Sequence, residues 1–172
     1  MRNRILLMIL LAFAFQMSMA QQLSLDWVGQ FTGSMLSMSH DIDLGGNVIT
    51  VGNYNGGGDI DPSITGVRIT TGNGSYVTKQ DSLGNVVWTG AIESPASTVQ
   101  IWQVAVDGIG RIYVTGYLYG TADFDLTQGG IANYSSSGLE ARFVARYGPS
   151  GFCIMSRYSL ATDYSRPTTH LR

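Results

Sequence analysis

The chain contains one stretch twice, and this duplication constrains its fold more than any other feature. Residues 104–125 read VAVDGIGRIYVTGYLYGTADFD, and residues 40–61, 64 positions earlier, read HDIDLGGNVITVGNYNGGGDID. Asp107, Gly110, Gly116, Gly120, Asp123 and Asp125 fall on Asp43, Gly46, Gly52, Gly56, Asp59 and Asp61. What repeats is turn chemistry: Gly tolerates positive φ, and Asp accepts nearby backbone N–H groups. A flanking tract recurs as well. Residues 76–84, YVTKQDSLG, match residues 143–151, FVARYGPSG, at a spacing of 67. A loop insertion between strands accounts for the drift, and repetition at this period marks a repeated β unit.

Around these anchors the chain alternates strands and turns. Residues 47–52, 75–80, 85–90, 99–106, 111–118, 142–147 and 152–158 read as strands, and residues 67–71 as a brief pairing. The turns are Asp43 to Gly46, Asp81 to Gly84 and Asp107 to Gly110, while residues 53–63 and 123–138 read as polar loops. The expectation is an all-β fold: two tandem four-stranded antiparallel propeller-like blades, plus a lead-in strand around Trp27, with no helix. In residues 111–118, Ile112, Val114 and Leu118 point one way, and Tyr113, Thr115, Tyr117 and Tyr119 the other. Neither face is plainly polar, which predicts a sheet covered on both sides.

Arg2 and Arg4 precede the apolar residues 5–15, and Ser18-Met-Ala20 follows. That pattern predicts a signal peptide over residues 1–20, and a secreted, periplasmic or cell-surface protein. Without the leader, eight basic and twelve acidic side chains remain. The balance argues against nucleic-acid binding, which needs clustered Lys and Arg, and no second apolar run predicts membrane insertion after leader cleavage. Cys153 stands alone, so no intrachain disulfide is possible. The expected divisions are 1–20 leader, 21–37 lead-in strand region, 38–92 first repeat, 93–160 second repeat, and 161–172 a polar tail without regular structure.

With these residues assembled, the chain resembles the secreted bacterial β-propeller repeats known as SBBP or seven-bladed-propeller-type repeats. The resemblance rests on Val104-Ala-Val-Asp107, Gly110-Arg-Ile-Tyr-Val-Thr-Gly116, Asp123-Phe-Asp125 and Phe143-Val-Ala-Arg-Tyr147, with a looser first copy ending in Trp88. Met155 stands where the second copy would carry that tryptophan. The resemblance implies an exported, blade-rich protein. Known propellers close with about four to eight blades, and two blades form an incomplete propeller. Three outcomes stay open: a truncated product without independent function, a ring built by self-association through open blade faces, or collapse into a sandwich or small barrel.

Asp59 with Asp61, and Asp123 with Asp125, are the candidate metal ligands, since closely spaced carboxylates can share Ca²⁺ through oxygen. The competing reading is that each Asp accepts backbone N–H bonds and fixes a connection; no other cofactor is expected. Trp102, Tyr113, Tyr117 and Tyr119 form an aromatic-rich tract, either blade packing or a stacking platform for a glycan or protein ligand. His40 and His170 are isolated, and neither a nucleophile elbow nor a phosphate loop is present. The duplicated Asp pairs do not suit one asymmetric acid–base pair. The expectation is a non-catalytic binding or structural protein, with a secreted hydrolase or carbohydrate-binding protein as the competing class.

Overall fold

Three hairpin turns, all Asp-initiated and closed by a left-handed glycine, set the frame. At each, the Asp N–H and carbonyl bond across the turn: Asp43 with Asn47 and Gly46, Asp81 with Asn85 and Gly84, Asp107 with Arg111 and Gly110. Gly46, Gly84 and Gly110 have φ of 78°, 84° and 79°, a conformation that costs a residue with Cβ strain. A fourth turn of the same geometry runs from Gly148 to Phe152.

The computed structural model describes residues 25–94, 98–127, 129–136 and 139–160. The expected leader and polar tail lie outside them. Eleven strands follow in order: β1 Thr32–Ile42, β2 Val48–Asp59, β3 Ile69–Thr70, β4 Asn73–Gln80, β5 Val86–Glu93, β6 Thr98–Val106, β7 Ile112–Tyr119, β8 Thr121–Asp123, β9 Asn133–Ser135, β10 Ala141–Tyr147 and β11 Cys153–Leu160. The described residues contain no helix, and the protein is all-β. A seven-stranded sheet has the order β1-β2-β4-β5-β8-β9 with β3 paired to β2, and a four-stranded sheet the order β11-β10-β7-β6. Every pairing is antiparallel. Eight long strands thus fall in two groups of four, as the duplicated pattern predicts. They form open sheets and do not close into one barrel.

The two groups repeat in detail. A β-bulge between Ser37 and Ser39 in β1 recurs between Ile101 and Gln103 in β6. Opposite the bulges stand Gly52 and Gly116, where a Cβ would run into the carbonyls of Leu36 and Gln100. Only glycine allows the two backbones to approach that closely. Gly56 and Gly120 recur too, with φ of 80° and 92°.

Several expectations are corrected. β1 begins at Thr32 and β2 runs on to Asp59, because Gly58 and Asp59 keep pairing with β1 and β3 where a loop was expected. No strand forms around Trp27; residues 25–31 lack ladder partners among the described residues. Among the described residues the second sheet is covered on one side only: Ile112, Val114 and Leu118 are buried, Tyr113, Thr115 and Tyr117 half-buried, and Tyr119 is 52% exposed. The core lies between the two sheets, where Ile49, Val51 and Val77 meet Val99, Ile101, Ile112, Val114, Phe143 and Tyr147. Each fully enclosed aliphatic side chain there contributes about 1.5–3 kcal/mol. A smaller cluster of Tyr54, Ile60, Tyr76 and Ala91, packed by Phe31 and Met35, covers the opposite face of the first group.

Side chains of the first group also satisfy the free edge of β6. The Asn53 amide donates to the Ile101 carbonyl at 3.0 Å and accepts its N–H at 2.8 Å. Asp41 Oδ2 accepts the Val106 N–H at 2.7 Å, and Ser39 Oγ that of Val104 at 3.4 Å. An edge strand otherwise leaves such groups as a template for foreign pairing.

Candidate functional site

The aspartates singled out by duplication are engaged with the backbone. Asp43 Oδ1 accepts the N–H groups of Gly45 and Asn47, both at 2.9 Å. Asp81 Oδ1 accepts those of Leu83 and Asn85, and Asp107 Oδ1 those of Ile109 and Arg111. Their second oxygens differ. Asp43 Oδ2 pairs with Lys79 Nζ at 2.8 Å, with both side chains under one-tenth exposed, while Asp107 Oδ2 pairs with Arg111 Nε at 2.6 Å. Burial pushes the Asp43 carboxyl up, but Lys79 and Asn47 outweigh it and hold the group at about 2. At Asp107 desolvation is likewise outweighed, by Arg111 and two backbone N–H groups, again to about 2. Such perturbation in a turn is what an anionic cap produces.

The paired carboxylates repeat one loop. Asp59 Oδ1 accepts the N–H groups of Asp61 and Arg68 at 3.0 and 2.8 Å. Asp123 Oδ1 accepts those of Asp125 and Ala132 at the same two distances. Asp61 Oδ1 takes the Ser63 N–H and Asp125 Oδ1 the Thr127 N–H. In each loop the residue between the acids, Ile60 or Phe124, is buried. The loops are therefore staples that carry an apolar side chain under the sheet. Among the described residues, no three His, Cys, Asp or Glu side chains gather as a metal-holding group.

Two clefts lie where the loops meet. One, of about 390 Å³, is lined by Asp61, Arg68, Trp88, Thr89, Leu126 and Ser150 among others. The other, of about 300 Å³, is lined by Arg68, Glu93, Asp123, Asp125, Thr127 and Gly130 among others. Arg68 borders both, and its guanidinium donates to the Thr89 carbonyl. Sequence reasoning passed over Arg68, which does not belong to the duplicated pattern, and set Glu93 aside as a linker residue, whereas it ends β5.

The aromatic candidates divide. Trp102 and Tyr117 meet at 5.6 Å between ring centroids, tilted by 47°. The Arg142 guanidinium lies 4.4 Å from the Trp102 centroid and also pairs with Glu140 at 2.9 Å. Such a cation–π contact is favourable, and stronger where water is excluded. Tyr113 instead donates to Asp107 Oδ2 at 3.2 Å, and Tyr119 is exposed near the end of β7. The structure thus brings Trp102 and Tyr117 together on the uncovered face of the second sheet, adds Arg142, and leaves Tyr113 and Tyr119 outside the group. Arg142 carries no sequence signal, since its neighbour Trp102 is 40 residues away on another strand.

No family model matches the chain, and no curated protein or solved structure does so either.

Proposed function

We propose that this is a non-catalytic, exported protein of the β-propeller-repeat type, whose work is structural association or surface binding. One observation carries the reading: each duplicated carboxylate is spent on backbone N–H groups that fix a turn or loop, in both copies alike. A catalytic acid–base pair needs carboxylates placed asymmetrically about a substrate, and this duplication produces the opposite. The groups left to meet another molecule are the uncovered face bearing Trp102, Tyr117 and Arg142 and the open sheet edges, which suit association. Export rests on the leader-like residues 1–20. Light scattering on the purified secreted protein tests the reading. A discrete assembly of several copies supports it, whereas a monomer that binds no protein and hydrolyses a glycoside or ester overturns it.

A second reading follows from the half-buried ring pair beside the exposed Arg142, a combination that stacks on sugars. A glycan array with the Trp102→Ala variant as control separates the two: Trp102-dependent capture by a monomer favours the ligand platform.

A further inference from the structure

Residues 27–31 dock on the first group in the way β5 docks on the second. Trp88 Nε1 donates to the Pro149 carbonyl at 2.9 Å, and a Cβ on Gly151 would meet the Trp88 ring at 3.4 Å. Trp27 Nε1 likewise donates to the Ser82 carbonyl at 3.2 Å, with its ring against Gly84. Ser82 and Gly84 are the repeat counterparts of Pro149 and Gly151. Two residues further on, Gly90 lies against Leu126, and Gly29 lies against Pro62, the counterpart of Leu126. Gln30 N–H completes the docking by donating to the Pro62 carbonyl at 3.3 Å. The sequences run in parallel, Trp27-Val-Gly-Gln-Phe31 beside Trp88-Thr-Gly-Ala-Ile92.

β5 has a second attachment that residues 27–31 lack. It is laddered to β4, with Lys79 opposite Trp88, Thr78 opposite Thr89 and Val77 opposite Gly90. Residues 27–31 therefore have the residue pattern and the docking contacts of a fourth strand but no third strand beside them among the described residues. The repeat counterpart of β4 elsewhere in the chain is β10, which is laddered to β11. At the positions of Trp88 and Gly90, β11 has Met155 and Arg157. β5 and residues 27–31 therefore share the Trp-x-Gly pattern that carries the docking, with Gly90 and Gly29 close against Leu126 and Pro62, and β11 does not have it in its sequence.

Resting on the reading of an associating repeat protein, we propose that residues 27–31 of one copy add to β10 of a second copy in place of β11. The interface between the two groups is thereby continued from chain to chain. The register follows from β4 and β5: Val28 stands opposite Ala145, Trp27 opposite Arg146, and Gly29 opposite Val144. The contact is head-to-tail, so it propagates until a ring closes, and the uncovered face with Trp102, Tyr117 and Arg142 becomes the seat of the incoming copy.

Cysteine pairing tests the register directly. Full chains carrying Cys153→Ser with either Val28→Cys or Ala145→Cys are mixed at equal concentration and oxidised. The expected product is a disulfide-linked pair of the two different chains, which neither variant yields alone. In the native sequence, Gly29→Arg should reduce the assembly to monomers while leaving the far-ultraviolet circular dichroism unchanged. An assembly of undiminished mass that gives no mixed disulfide and tolerates Gly29→Arg overturns the strand exchange and leaves the associating reading intact. A protein monomeric at every concentration overturns both.

Discussion

Trp88 and Gly151 lie 63 residues apart in sequence, yet the indole stands where a Cβ on the glycine would touch it at 3.4 Å, and its N–H reaches the nearby Pro149 carbonyl. The contact joins the two four-stranded groups at their outer end. Trp88→Ala should cost about 2–3 kcal/mol, less than a fully enclosed tryptophan loses. Trp88→Phe keeps much of the ring contact but loses the hydrogen bond, at about 1 kcal/mol. Urea unfolding followed by circular dichroism measures both differences.

Glycine at the bulges is required by backbone approach. Gly116→Ala drives a methyl group against the Gln100 carbonyl and should destabilise by about 1–3 kcal/mol, as overpacking does. Gly108 supplies the control, because a Cβ there meets nothing within 4 Å. Gly108→Ala should stay within about 0.5 kcal/mol of the parent. Equal losses in the two variants would contradict the close approach.

The capped turns predict how acid acts. Asp43 and Asp107 are held at about 2 against an ordinary 3.8, and Asp81 is lowered as well, chiefly by Asn85. A depressed carboxyl stabilises the fold fully above its unfolded value, and that contribution is lost as pH falls from there through the folded value. Stability should decline between about pH 4 and pH 2. Asp107→Asn should flatten this decline while lowering stability at neutral pH. Melting temperatures across that range, for parent and variant, check the sign.

The paired-acid loops predict a loss that calcium does not repair. Asp123→Ala strands the N–H groups of Asp125 and Ala132 and should cost about 1–3 kcal/mol, with Asp59→Ala similar. Millimolar calcium should leave the melting temperature of the parent and both variants unchanged. A calcium-dependent rise in the parent that both variants lose would assign the pairs to a metal.

The sequence by itself determined the Asp-initiated turns, seven of the eight long strands and the division into two groups of four. Those features depend on interactions within about five residues: an Asp capping N–H groups two and four positions on, a glycine at positive φ, a period-two strand. Tertiary structure decided what local chemistry leaves open. Tyr113 and Ile112 alternate in sequence, but only the packing of the first sheet on the Ile112 side made one face core and left Tyr117 beside Trp102 on an uncovered face. Trp27 looked like the middle of a strand, and its five-residue pattern does match that of β5. A strand, however, needs a partner ladder, and its placement came instead from a turn 55 residues further on. The edge caps of β6, from Asp41 and Asn53, were equally illegible, because a side chain's bond to a distant backbone leaves no periodic trace in the chain.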